Sequence, residues 1–137
     1  MRSLRLAVTG FLLLGAVACA NGMTFAKTPL RSTVRITERQ NERTVTLRRG
    51  QLLRVVLHST YWQFAKASDR SVLRLVRAPR VRPAPGCVAG SGCGTVTASY
   101  LAASRGTSTV GAERNSCGEA MGCTGDTGRY TVRIVVR

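Results

Sequence analysis

From Ser32 to the C-terminus, apolar and polar residues follow a two-residue period. Val34 and Ile36 alternate with Arg35 and Thr37, and Val45 and Leu47 with Thr44, Thr46 and Arg48. After the Arg49-Gly50 turn, Leu52 to Leu57 is almost continuously apolar, broken by Arg54. Val72 to Val76 is centred on Arg74, Thr95 to Leu101 is rich in Thr, Val and Tyr, and Arg105-Gly106 turns into Thr107 to Ala112. Tyr130, Val132, Ile134 and Val136 then alternate with Thr131, Arg133 and Val135. Successive strand side chains point to opposite faces, so each segment predicts a half-buried strand. Short β-branched segments with turns at about 8–12-residue spacing predict a sandwich or a barrel. No segment after the N-terminal stretch carries a helical period. Pro79, Pro83 and Pro85 mark an irregular segment over residues 77 to 93. Proline removes a ladder donor, so this stretch is expected between the sheets or along an edge.

The N-terminus follows a different rule. Arg2 and Arg5 precede an apolar run from Leu6 to Ala18, interrupted only by Thr9, Gly10 and Gly15. The run is shorter than the roughly 20 residues that span a bilayer. A basic start, a short apolar core and small residues after it make an export signal over residues 1–18, or 1–20. Ala18-Cys19-Ala20 is a small-x-small cleavage site, and cutting before Asn21 would discard Cys19. Gly15-Ala16-Val17-Ala18-Cys19 also resembles a bacterial lipobox, in which Cys19 is lipidated and becomes the new N-terminus. Lipidation is the expected route, placing the protein on the outer face of the cell membrane; secretion is the alternative. Residues 19–31, small and polar with Pro29, then form a tether, and residues 32–137 form one domain.

Charge narrows the partners. Without Arg2 and Arg5, 19 basic residues face 6 acidic ones, a formal +13, and only Lys27 and Lys66 of the basic residues are Lys. Such a charge suits anionic lipid headgroups or acidic wall polymers. The densest group, Arg74, Arg77, Arg80 and Arg82, has no interleaved aromatics for bases to stack on, so nucleic acid is not expected. With six aromatics in the mature chain (Phe25, Tyr61, Trp62, Phe64, Tyr100, Tyr130), the core must be mostly Val, Leu and Ile. Enzyme chemistry needs an acid–base or nucleophilic set. His58 is the lone imidazole and alternates with Val56 and Arg54, an exposed strand position. No cofactor is expected.

Either processing route removes one of five cysteines and leaves Cys87, Cys93, Cys117 and Cys123, two C-x5-C units reading CVAGSGC and CGEAMGC. Zinc sites favour C-x2-C spacing or nearby His, and export brings oxidising conditions, so two disulfides are expected and no metal. Three connectivities are open. Local pairing is favoured, because Gly90, Gly92, Gly118 and Gly122 let each short ring turn back on itself. Each seven-residue ring would contribute roughly 2.4 kcal/mol by loop entropy. Glu119 and Asp126 flank Cys123; one carboxylate on each side of a turn is more often a local loop hydrogen bond, and the alternative is a site for a cation or a basic partner.

The pieces GQLLRVVLHS, SDRSVLRLV, RGTSTVGA and RYTVRIVV resemble the chagasin-type inhibitors of papain-like cysteine proteases. The resemblance implies an all-β, immunoglobulin-like antiparallel β-sandwich of about 7–8 strands, here carrying two small disulfide rings. The family's asparagine-proline-threonine-threonine-glycine loop is replaced by HSTYWQF, and its arginine-proline-tryptophan loop by the Cys117–Cys123 unit. The chain also resembles small exported actinobacterial proteins in which this sandwich carries a CGEA-x-x-C loop. The expected function is a non-catalytic, exported or lipid-anchored envelope protein, expected to be a monomer, that presents an interaction module to a protein or envelope polymer. The alternative is a degenerate chagasin-like inhibitor. The candidate interaction residues are Tyr61, Trp62, Glu119, Met121 and Asp126. Inhibition requires the loops beside Tyr61-Trp62 and Cys117–Cys123 to share one end of the sandwich.

Overall fold

The computed structural model describes residues 31–118 and 121–137. The export segment, Cys19 and the tether through residue 30 lie outside the described residues, as do Glu119 and Ala120. Ten strands follow in order: β1 (Thr33–Ile36), β2 (Thr44–Leu47), β3 (Leu52–His58), β4 (Gln63–Phe64), β5 (Leu73–Pro83), β6 (Gly94–Ala102), β7 (Gly106–Glu113), β8 (Ser116–Gly118), β9 (Met121–Gly122) and β10 (Arg129–Val136). Eight of them form two four-stranded sheets, β1-β3-β6-β5 and β2-β10-β7-β4, while β8 and β9 form a separate hairpin. This is an all-β, immunoglobulin-like sandwich.

The core lies where the apolar halves of the period-two segments meet. Leu53, Val55 and Leu57 of β3 and Val96, Ala98 and Tyr100 of β6 face Val110 and Ala112 of β7 and Tyr130, Val132 and Ile134 of β10, each at most 2% exposed. Full burial of one such aliphatic side chain contributes about 1.5–3 kcal/mol, so these strands are a main source of the fold's stability. Burial pushes the Tyr100 phenol up to about 12. It also raises Tyr130, with smaller contributions from the Glu38 charge and from Tyr100. The buried Tyr130 hydroxyl has no hydrogen-bond partner among the described residues.

Two edge strands depart from an antiparallel pattern. β1 lies parallel to β3 and β2 parallel to β10. The chain changes sheets between them through one 3-10 turn, Glu38–Gln40, with reciprocal caps: Gln40 Oε1 accepts from Thr37 N at 2.8 Å, and Thr37 Oγ1 from Arg39 N at 3.4 Å. Asn41 then stands in for a strand's backbone, donating to Arg129 O at 3.3 Å and accepting from Thr131 N at 2.8 Å.

The proline-rich segment corrects the sequence expectation in part. Strand β5 continues through Pro79 to Pro83, and irregular structure begins only at Ala84. As an edge strand paired on one side with β6, β5 tolerates missing N–H donors on its free side.

The ends of the sandwich are built differently. At one end, Asp69 Oδ1 accepts from Ser71 N (2.8 Å), Ser71 Oγ (2.6 Å) and Val72 N (3.2 Å), folding SDRSV into a tight turn before β5. These bonds, chiefly the one from the Ser71 hydroxyl, hold the Asp69 carboxyl below its ordinary value. Ser108 of β7, 1% exposed, clasps the same turn: its Oγ donates to Asp69 O and accepts from Asp69 N, both at 3.0 Å. Two of the stretches that resemble the inhibitor family are therefore in direct contact.

Candidate functional site

At the opposite end, β3 leaves the first sheet at His58 and β5 at Pro83, while β7 leaves the second at Glu113 and β10 enters it at Arg129. The registers His58↔Thr95, Pro83↔Gly94 and Arg129↔Glu113 put these strand ends at the same level. Three connections therefore share one end: Ser59–Trp62, residues 84–93, and residues 114–128. The disulfides pair locally, Cys87–Cys93 and Cys117–Cys123, stapling the second and third connections.

The first connection is locked to the first ring. Ser59 N donates to Gly94 O at 2.9 Å and Thr60 N to Gly92 O at 2.8 Å. Tyr61 Oη donates to Gly90 O at 2.5 Å. The Tyr61 ring lies so close to Gly92 that a Cβ there would collide with it, and Gly92 holds φ +66°. That glycine is required twice over, by conformation and by contact. Ser59 also has positive φ, at 111°. Such backbone costs on the order of 1–3 kcal/mol and persists where its surroundings over-determine it; here the Ser59 hydroxyl accepts from Tyr61 N at 3.2 Å.

Trp62 joins this connection to the third. It is 4% exposed and packs in the core, with Nε1 donating to His58 O at 2.9 Å. The Arg114 guanidinium lies 4.6 Å from the centre of its ring, a cation–π arrangement. Arg114 Nε also donates to Thr127 O at 2.7 Å, and its backbone N to Gly128 O at 2.9 Å. One arginine thus ties the base of the second ring to the loop beside the first.

The sequence candidates divide accordingly. Tyr61 is half-buried at the loop surface, whereas Trp62 is a core residue that supports the loop from beneath and has little surface left for a partner. Met121, in β9, is 64% exposed. Asp126 is exposed in a 3-10 turn, Gly125–Thr127, and Glu119 is outside the described residues. His58 is exposed, as its alternation implies, and its Nδ1 lies 3.0 Å from Glu38 Oε2. No group of three His, Cys, Asp or Glu side chains suited to a metal occurs among the described residues.

Val88 was not singled out by the sequence. At 67% exposure it presents an apolar tip on the first ring, as Met121 does on the second. The signal was available: Val88 is the one large apolar residue inside CVAGSGC, as Met121 is inside CGEAMGC. Arg114 carried no such signal, because its stacking depends on a partner 52 positions earlier in the chain.

The sandwich and its clustered connections define an immunoglobulin-like domain that presents three loops at one end. No family model matches the sequence, and no curated protein does. Among solved structures, the chain is similar to the cysteine protease inhibitor EhICP2 from Entamoeba histolytica, with a TM-score of 0.55, 13% identity, and 80% of this chain and 100% of that one covered. It is also similar to amebosin, with a TM-score of 0.53, 15% identity, and 77% and 98% covered. At these identities the likeness establishes a shared fold.

Proposed function

We propose that this domain is a non-catalytic protein ligand whose three-loop end enters the active-site cleft of a papain-type cysteine protease. The observation that carries the reading is the gathering of the Ser59–Trp62 connection and both disulfide rings at one end, with Val88 and Met121 exposed on the rings. Rigid loops lower the ordering cost of binding, and apolar anchors concentrate its energy. The structural likeness to a cysteine protease inhibitor supports the choice of partner. The inhibitor family's loop motifs are replaced here, and losing two or three anchors at about 2 kcal/mol each weakens binding by roughly three to four orders of magnitude. Micromolar rather than nanomolar inhibition is expected. Titration of papain with the oxidised protein tests this: competitive inhibition that Tyr61→Ala and Met121→Ser each weaken supports the reading, and full protease activity at saturating micromolar protein sinks it.

The export signal and Cys19 lead us to place the domain outside the cytoplasm, lipid-anchored. Fatty-acid labelling of Cys19 tests the anchor; an unlabelled protein in the medium beginning at Asn21 would establish secretion instead.

A further inference from the structure

The outer face of the first sheet holds a depression of about 380 Å³, rimmed by Arg35 of β1, Arg54 of β3, and Arg77, Arg80 and Arg82 of β5. Its floor is Thr95, Thr97 and Ser99 of β6, with Val56 of β3. Among the described residues, no acidic side chain lines it. The five guanidiniums form no ion pair among the described residues, where the ion pair seen joins Glu38 to His58.

Two irregularities in β5 build this arrangement. The register shifts between Leu75 and Arg77 and again between Arg77 and Arg80. Continued without shifts from Arg74↔Leu101, the ladder would set Val76, Ala78 and Arg80 opposite Ser99, Thr97 and Thr95. With them, Arg77, Arg80 and Arg82 take those places. Opposite residues share a face, so the bulges put arginine at all three positions on the side where Arg54 opposes Ser99 and Arg35 pairs with Arg54. Like charges on neighbouring strands repel, and a bound anion relieves that repulsion.

We propose that this groove binds a linear polymer carrying phosphate groups along its backbone, laid along β5 and β6. Guanidinium forks match phosphate oxygens in pairs, and the floor hydroxyls offer further donors. The β5 arginines oppose alternate residues of β6, a spacing of roughly 7 Å along the strand. A polymer engages all three rows, whereas a single ion engages one. No aromatic residue among those described lines the groove, so its described walls offer nothing for nucleobases to stack on. It is concave and lacks the bulky apolar residues with which interfacial modules enter a bilayer.

The probe is long-chain inorganic polyphosphate, its binding followed by calorimetry at about 50 and 200 mM salt. The triple variant Arg77→Gln/Arg80→Gln/Arg82→Gln should bind about tenfold more weakly or worse, with the log–log salt slope reduced by about 2 for three lost contacts. Arg43→Gln/Arg129→Gln/Arg133→Gln removes the same charge from exposed positions beside and on β10, and should stay within about twofold of wild type. Orthophosphate should bind far more weakly than the polymer. Equal losses in both triples would reduce the effect to net charge and overturn the proposal. So would absent polyphosphate binding, orthophosphate binding as tight as the polymer's, or equally tight groove-dependent binding to phosphatidylglycerol vesicles.

Discussion

At the Asp69 end of the sandwich, side-chain hydrogen bonds to backbone join the two sheets; at the loop end, two disulfides and the Arg114–Trp62 stack hold the connections. The difference follows from composition. The Asp69 end has a buried serine and a short turn whose amides a single carboxylate can satisfy. The loop end is rich in glycine and solvent-exposed, so it buries little area, and covalent rings supply the rigidity that packing cannot. The comparison teaches that the pieces resembling the inhibitor family can serve as scaffold, while the part that would meet a partner is free to differ.

The sharpest test of this division is Trp62→Ala. Trp62 sits among the loop residues in sequence but belongs to the core, so its loss should cost about 3–5 kcal/mol in urea unfolding. A cost below about 1 kcal/mol would erase the distinction between it and Tyr61. Next in size is Cys117→Ser/Cys123→Ser, which should lower stability by about 2 kcal/mol on the loop-entropy model while weakening protease inhibition. Unchanged inhibition would show that the second ring is not part of the binding end. Ser108→Ala removes a buried hydroxyl that bonds both the N–H and the C=O of the half-buried Asp69 backbone, and should cost about 1 kcal/mol, with inhibition unaffected.

Acid sharpens the comparison further. The Asp69 carboxyl titrates below its ordinary value of 3.8. Its ionised form therefore favours the folded state, a contribution present above pH 3.8 and lost as pH falls through the lower folded value. Asp69→Asn keeps an acceptor in the turn but removes this titration, so its unfolding should depend less on pH between about 4 and 2 than wild type's. An identical pH profile would show that the turn does not need the charge. The smallest effect expected is a gain: Tyr130→Phe removes a buried hydroxyl that has no partner among the described residues, and should raise stability by about 1 kcal/mol or less. A loss of 1 kcal/mol or more in the same unfolding assay would show that this hydroxyl is satisfied.

The sequence by itself located seven of the strands and the faces they bury, whereas β4, β8 and β9, of two or three residues each, are too short for a period to show. The period of β10 and the apolar run of β3 are local consequences of a two-residue repeat, and the inward residues read from them are the buried ones. Pairing within each ring was also favoured locally, because only five residues lie between the cysteines of each pair and glycines ease the return. Tertiary structure decided what depends on residues far apart in the chain. The parallel edges of β1 and β2, the gathering of three connections at one end, and the separate roles of Tyr61 and Trp62 all rest on contacts whose sequence separation carries no periodic trace. The arginine groove shows the reason most plainly. Arg77, Arg80 and Arg82 read as part of the densest basic stretch, but nothing in the sequence joins Arg35 and Arg54 to it; parallel pairing of β1 with β3, antiparallel pairing through β6 and two bulges in β5 put all five on one face. Alternation states which face a residue takes within its own strand, but only register states which residues stand beside it.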